Sequence, residues 1–453
     1  MHRPTLASPP PPALRSPLRV GMLGIGTVGS GTYRVITRNH RVIHARAGRA
    51  IELRMLSTRT PERARGLVGP EVELLANPLD LVRHPGLDVV VEAIGGCGAA
   101  RELVLEAIAH GKHVVTANKA LLAQHGEEIF AAAARHGVMV AYEGAVAVSI
   151  PIVKALREGL AANEVQWVAG IVNGTSNFIL TRMRDDGTAF GDALAEAQRL
   201  GYAEADPGFD VDGVDAAHKL ALLASIAFGM PLRFDAVHTE GIAGIEPEDF
   251  RCAAALGHAV KLLAVARRSP VGVELRVQPA LVCANSLMAR VDGAMNGVMV
   301  GSDAAGLTMY YGAGAGSEQT ASAVVADLVE IARMEGARPE QTVPYLGFHA
   351  HAMATPEIVP VGDVMARHFL RVPLDAGGEV REAVLELLAA HGIAVARHLL
   401  LPATASGAQC QLALLTDKVQ VARVRGAVAA LQALPAVCGK SAALPVEELG
   451  TTA

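Results

Sequence analysis

Lysine is nearly missing from this chain. Of its 40 basic residues seven are lysine (Lys112, Lys119, Lys154, Lys219, Lys261, Lys418 and Lys440), which leaves 33 arginines. Arginine keeps its proton, whereas a partly buried ammonium can be tuned to release one, so a lysine kept among carboxylates is a candidate for proton transfer. Cysteine is rare too. Cys97, Cys252, Cys283, Cys410 and Cys438 are odd in number and have no C-x-x-C spacing, which excludes a disulfide framework and a thiolate zinc site; they are expected to be reduced and buried. No polybasic run interrupts the mixed charges behind the formal −5, so nucleic acid and anionic lipid are poor partners and a small molecule is the better one. No apolar run is long enough for a bilayer: Leu220 to Leu232 is broken by Gly229 and Pro231 and reads as a core helix of a soluble protein. The first 17 residues, rich in proline, lack the apolar stretch of a signal peptide and are expected to form a disordered tail. No phosphotransferase-sized region precedes the first strand, so a kinase fusion is not expected.

What is present is enough apolar residue, 51% of 453, for roughly two to four domains. Leu18 to Leu23 is a short apolar run followed by Gly24-Ile25-Gly26-Thr27-Val28-Gly29 and a helical pattern through Tyr33 and Ile36. Strand, glycine turn and helix in that order suit a dinucleotide pyrophosphate, with Gly24 making the turn, Gly26 admitting the phosphates and Gly29 packing helix on strand. The second strand, Ile51 to Ser57, ends without the acidic residue that meets a ribose 2′-hydroxyl; Arg59 follows instead, which favours NADP with NAD tolerated, unless it is simply a loop charge. Strands are further expected at Asp88 to Ile94, up to Thr116, and at Val138 to Tyr142, with Lys119 opening a helix at the same sheet edge. A cation at a helix N-terminus opposes the helix dipole, which makes a purely structural Lys119 less attractive.

Beyond a boundary near 145 to 150, a strand over 165 to 172 ends in Asn173-Gly174-Thr175-Ser176-Asn177, an anion-binding loop or an ordinary helix cap. The stretch from Gln198 to Gly229 holds Glu204, Asp206, Asp210, Asp212 and Asp215 ahead of Lys219 and an uncharged apolar helix. Asp215 and Lys219, four apart, share a helix face. A salt bridge accounts for that pair as well as proton transfer does. Residues 253 to 310 alternate helical and strand-like runs, a glycine-rich turn leads into a helix from Thr320 to Arg333, and a linker spans about 335 to 365. From His368 the order strand, helix, strand, strand, helix describes a small α+β module of the split βαβ kind.

Together these motifs resemble homoserine dehydrogenase, the bacterial form with a C-terminal ACT domain, from about 18 to 440. The likeness rests on GIGTVGSG at 24–31, GKHVVTANKALLA at 111–123, NGTSNFIL at 173–180, LGYAEADP at 200–207, GVDAAHKLALLASIAFG at 213–229 and TASAVVADLVEIAR ending at 333. It implies an α/β chain with a Rossmann-type NAD(P)-binding domain at 18–146, an α+β catalytic and dimerisation domain at 147–340 and an ACT-like module at 366–440. It also implies reversible hydride transfer between NAD(P)H and L-aspartate 4-semialdehyde, giving L-homoserine for threonine and methionine synthesis, in a cytoplasmic homo-oligomer. By the resemblance, Lys219 moves the proton and Lys119 contacts cofactor and substrate. Glu204 and Asp215 meet the substrate and hold Lys219, with Asp210, Gly174 and Thr175 beside them. Gly24, Gly26, Thr27, Val28, Gly29, Arg59, Thr116, Lys119 and Gly316 meet the nucleotide. A sodium ion is held by backbone carbonyls of Glu143, Val146, Val148 and Ile150.

Three departures stand out. Ala147-Val148-Ser149 replaces a glycine-rich path at the cation site. Gln319 stands where a proline often precedes T-A-S-A, a change of loop stiffness only. The turn Asp375-Ala376-Gly377-Gly378-Glu379-Val380 lacks the proline of the usual effector turn, so threonine inhibition is expected to be weak or absent. The competing readings are another NADP-dependent semialdehyde dehydrogenase, which would lack the Lys119 and Lys219 pair, and a sensor that binds NADP and an amino acid without turnover, which needs no proton acceptor.

Overall fold

The structure is a computed structural model that describes residues 15–334, 342–375, 378–402 and 409–450. Most of the tail expected over 1–17 lies outside the described residues, as do 335–341 and positions 376 and 377 of the module's first turn; Arg15 to Pro17 lead without regular structure into the first strand.

The first sheet is all parallel, in the spatial order Glu73–Leu75, Ile51–Ser57, Leu18–Leu23, Val89–Glu92, His113–Thr116, Val140–Ala141. In chain order this is 3-2-1-4-5-6, which reverses between the first and fourth strands and opens a crevice at their carboxyl ends. Strands covered on both faces read as unbroken apolar runs, and VVVE at 89–92 is buried at every position. Val89 and Val91 point into one core with the helices Thr27–Arg38 and Ser317–Arg333; Val90 points into the other with Gly98–Ala109 and Lys119–His136. The fourth strand stops at Glu92, short of the expected Ile94, because after Ala93 N–H donates to the Leu23 carbonyl the Ile94 and Gly95 amides turn back to the Glu92 carboxylate.

The second unit is built on a large mixed sheet, ordered Gly306–Ala313, Met295–Ser302, Val165–Ile171, His258–Ser269, Gly272–Cys283 and then into the C-terminal module. After the helix Pro247–Ala255 the expected alternation over 253–310 is therefore four strands in two hairpins, with one short 3-10 turn between them. The apolar residues there follow the two-residue period of a sheet with two covered faces, which a helix-length window misreads. Against one face lies the helix Val214–Phe228, buried from Asp215 to Phe228. A helix buried all round has no polar stripe, which explains why LALLASIAF carries no charge.

The C-terminal module runs Met365–Asp375, helix Gly378–Ala390, Val395–Pro402, Gln409–Thr416, helix Val421–Gln432, Ala442–Glu447. Its four longer described strands are antiparallel in the spatial order 4-1-3-2, and a two-residue strand, Val419–Gln420, pairs with the start of Met365–Asp375. The last strand lies beyond the limit of 440 set from sequence, and it fuses the module to the large sheet by pairing Leu281 with Val446 and Val282 with Glu447. All five cysteines are free, but only Cys252 is buried, so the expectation of burial fails for Cys283 and Cys438, which are exposed, and for the half-buried Cys97 and Cys410. No described helix is long and apolar enough to cross a membrane.

Candidate active site

Two helix beginnings and one strand end converge on Asp215. The strand Val165–Ile171 runs out at Val172 and Asn173, the helix Val214–Phe228 starts after Gly213 at φ 84°, and the helix Lys119–His136 starts after its cap Asn118. Lys219 Nζ donates to the Val172 carbonyl at 2.6 Å and to Asp215 Oδ2 at 2.7 Å. Lys119 Nζ lies 3.0 Å from Asp215 Oδ1. Each carboxylate oxygen thus holds one lysine, and the cation opposing the dipole of the Lys119 helix is answered by a neighbouring anion. Lys119 also sits over the Phe209 ring, 5.6 Å from its centroid.

Asn173 links the acidic segment to this pair. Its Nδ2 donates to Asp210 Oδ1 at 2.7 Å and to Asp215 Oδ2 at 2.8 Å, while its Oδ1 caps the helix Gly174–Asp186 by accepting from Ser176 N–H at 2.8 Å. The loop is an ordinary helix cap and part of the site at once. Gly174 is forced by close approach, since a Cβ there would meet the Ala294 carbonyl at 2.7 Å. Thr175 donates its hydroxyl to the Tyr202 carbonyl.

Burial pushes the Lys219 ammonium below its ordinary pKa; Asp215 works against this and the Lys119 charge adds to it. Burial alone would raise Asp215, but Lys219, Lys119 and Asn173 hold its carboxyl well below the usual range. Asp210 is raised, by burial and then by the Asp215 charge. Two neighbouring carboxylates are therefore pushed apart, one fixed as an anion and the other nearer to protonation.

Glu204 is not part of this cluster. It is exposed, its carboxylate has no partner among the described residues, and only its carbonyl is used, by Gln198. The expectation that Glu204 holds Lys219 is corrected: the Val172 carbonyl does so, because a buried strand end presents an unpaired acceptor that no side-chain motif reveals. Asp206 caps Gly208, and Asp212 is exposed. His218, buried against Phe234 with ring centroids 4.2 Å apart, was also missed.

On the nucleotide side, Gly24 takes φ 94°, and a Cβ there would meet the Ala93 carbonyl at 2.7 Å; one at Gly29 would meet the Gly24 carbonyl at 2.3 Å. Gly26 and Thr27 are exposed, and a Cβ on Gly26 would meet nothing within 4 Å, as a phosphate cradle requires. Val28 is half-buried. Gly316, at φ 138°, caps the helix Ser317–Arg333, which is docked onto the turn by Ser317 Oγ donating to the Thr27 carbonyl at 2.6 Å. Arg59 is exposed and unpaired among the described residues. The Thr116 hydroxyl is engaged within the protein: it donates to Glu92 Oε2 at 2.6 Å and accepts from Asn118 N–H, which leaves it one further acceptor lone pair.

The cation segment joins the two units. Ala147 and Val148, at φ 52° and 45°, are the only described non-glycine residues in the left-handed region, which a β-branched residue occupies at a cost of about 1–3 kcal/mol. The Glu143 carboxylate accepts from Val153 and Lys154 N–H and so does not face the loop; burial and then Asp327 push it up to about 7. The Val146 and Val148 carbonyls accept no hydrogen bond among the described residues, and the Glu143 carbonyl accepts only a long one from Val146. The Ile150 carbonyl is already used by Ile152 N–H at 2.8 Å. Uncommitted carbonyls on a turned backbone fit a hard monovalent cation. Ile150 fits this role least.

Two family profiles match the chain: "Homoserine dehydrogenase, NAD binding domain" over residues 24–143 and "Homoserine dehydrogenase" over 151–329. The homoserine dehydrogenase of Pseudomonas aeruginosa is 49% identical over 96% of this chain and 99% of its own length. That of Neisseria gonorrhoeae is 44% identical over 93% and 96%. A crystal structure of a homoserine dehydrogenase from Thiobacillus denitrificans superposes with a TM-score of 0.90 at 51% identity, over 96% of this chain and 99% of that one. The activity is an NAD(P)-dependent oxidoreduction at the CH–OH carbon of L-homoserine, reversible to L-aspartate 4-semialdehyde, in the route to threonine and methionine. The chain belongs to the homoserine dehydrogenase family.

Proposed function

We propose that Lys219 is the proton carrier of this reaction and that Asp215 sets its position. The observation that carries the reading is the pair of hydrogen bonds from buried Lys219 to the Val172 carbonyl and Asp215. A neutral amine keeps both bonds with its two N–H groups, and its lone pair then occupies the remaining direction, open to a substrate hydroxyl. In homoserine oxidation Lys219 takes the hydroxyl proton as the carbon loses hydride and the C–O bond becomes a carbonyl; in the reverse direction the ammonium returns that proton to the alkoxide oxygen. The bound nicotinamide supplies the hydride acceptor, or the donor in the reverse direction. Lys119, on the other oxygen of Asp215 and one-third exposed, contacts cofactor and substrate and keeps Asp215 ionised. Asp210, Gly174 and Thr175 line the substrate side. Glu204 reaches the substrate ammonium only from the exposed rim.

We assign NADP as the preferred nucleotide, with NAD accepted, because Arg59 offers an unpaired guanidinium at the end of the second strand where the adenosine ribose lies. Charge-assisted contacts of this kind contribute about 1.5–3 kcal/mol. Arg59→Ala is therefore expected to raise KM for NADP by roughly 10- to 100-fold and leave KM for NAD nearly unchanged, as read from initial rates with each cofactor. Equal effects on both would reject the assignment.

The carbonyls of Glu143, Val146 and Val148 would hold a sodium ion, which would stiffen the join between the units. Val148→Gly relieves about 1–3 kcal/mol of left-handed strain against about 0.5–1 kcal/mol of added chain entropy, and is expected to raise the melting temperature modestly with sodium activation retained. The split βαβ order of the C-terminal module supports an ACT-like unit kept for contact between two copies in a cytoplasmic homodimer. Its altered turn supports weak or absent threonine inhibition. Strong inhibition of homoserine oxidation by low-millimolar threonine would overturn the last point, and a mass near 47.0 kDa in solution would overturn the dimer.

A further inference from the structure

Glu92 carries a buried carboxylate that none of the steps above uses. It ends the fourth strand at the crevice edge and is 1% exposed. Its Oε1 accepts from Ile94 N–H and Gly95 N–H, both at 2.9 Å, and its Oε2 accepts the Thr116 hydroxyl at 2.6 Å. The Thr116 oxygen also accepts from Asn118 N–H at 3.0 Å, and its own proton is donated to Glu92. All three contacts are therefore to donors, the pattern of an ionised carboxylate, which only accepts. No cation pairs with it among the described residues. A buried anion without a counter-charge is costly, and a neutral side chain would close a sheet edge more cheaply.

The surroundings show what such an anion can face. Gly95 and Gly96 both take φ 73°, and a Cβ on either, or on Gly98, would meet nothing within 4 Å. The backbone is thus bare towards the crevice at the switch point of the sheet, where the nicotinamide end of a dinucleotide lies. The charge is felt locally: burial and then Glu92 push the Cys97 thiol up. The same network fixes Lys119, since Asn118 caps its helix and donates Nδ2 to the Gly96 carbonyl at 2.7 Å. Oxidised nicotinamide carries a positive charge on the ring and the reduced ring carries none.

We propose that Glu92 is a specificity-determining residue for the redox state of the cofactor, a fixed anion that favours the oxidised, cationic nicotinamide over the reduced one. This rests on the nucleotide site described above and not on the role given to Lys219. It makes hydride donation from the bound reduced ring to the semialdehyde easier, hydride acceptance from homoserine harder, and release of the reduced cofactor faster.

The test is binding, without turnover. Kd is measured for NADPH by its fluorescence and for NADP+ by displacement, on the full chain, for wild type, Glu92→Gln, Glu92→Met and Thr116→Val, with folding checked by melting. Glu92→Gln is expected to weaken NADP+ binding about tenfold and NADPH binding much less. Glu92→Met removes the charge without adding amide donors and is expected to give the same change in ratio if the Gln variant does not fold. Thr116→Val keeps the charge and loses the hydroxyl's bonds to Glu92 and from Asn118 N–H, so both constants shift together and their ratio stays at the wild-type value. Equal shifts for both nucleotides in the Glu92 variants, or an unchanged ratio, would overturn the proposal. Failure of wild type to bind either nucleotide would fault the nucleotide-site reading instead.

Discussion

Replacing Lys219 by alanine lowers kcat for L-homoserine oxidation by roughly 10²- to 10⁴-fold, the range that a positioned acid or base contributes, with KM for the nucleotide within a few-fold of wild type. The split follows from the geometry. Lys219 is buried and its amine is bonded only to Val172 and Asp215, so its loss does not disturb the glycine turn that holds the nucleotide. It does leave Asp215 with Lys119 and Asn173 as partners, which keeps the carboxylate satisfied and the variant folded. Stopped assays with each nucleotide, beside a nucleotide titration, separate the two effects.

Asp215→Ala has the larger structural effect. It removes the anion from between two lysines, one of them buried. Breaking a buried pair from one side costs about 3–5 kcal/mol because an unpaired charge remains, so unfolding in denaturant moves to a lower midpoint. Lys219 relieves part of this cost by losing its proton. Since Asp215 raises the Lys219 pKa against burial, its removal moves that pKa further down, and the residual oxidation reaches its plateau at lower pH than in wild type. Activity falls at least a hundredfold as the amine loses its aim, the scale of a misplaced catalytic group. A variant as stable and as active as wild type would show that Asp215 neither pairs with nor orients the lysines.

The parts of the fold that repeat a local rule were legible in the sequence. The apolar run at 18–23 before Gly24, the second strand at 51–57 and the helix at Lys119 are each set by residues within a few positions, and the structure has them at Leu18–Leu23, Ile51–Ser57 and Lys119–His136. The i,i+4 spacing likewise placed Asp215 and Lys219 on one face. What could not be read depends on chain segments far apart. The Val172 carbonyl is 47 positions from the lysine it holds, and Glu92 meets Thr116 across 24. Backbone acceptors carry no sequence signature, and a glutamate at the end of VVVE looks like a strand terminus. The last strand, Ala442–Glu447, contains a proline, which in sequence argues against a strand. Pro445 pairs with His368 in the register of a strand all the same. Glu204 misled for the opposite reason: it sits in the same dense acidic segment as Asp215, and only the fold separates the exposed turn from the buried helix.

The most direct measurement is the pH dependence of initial rates in both directions, homoserine oxidation and semialdehyde reduction, on wild type and Lys219→Ala. Oxidation needs the neutral amine and reduction the ammonium. Since burial lowers the Lys219 pKa from its ordinary value of 10.5, oxidation rises and reduction falls as pH increases, each through a midpoint below that value. Both limbs vanish in Lys219→Ala, whose residual rates run flat through that range. If the variant kept either midpoint, or if the two directions had the same pH dependence in wild type, Lys219 would not be the group that moves the proton.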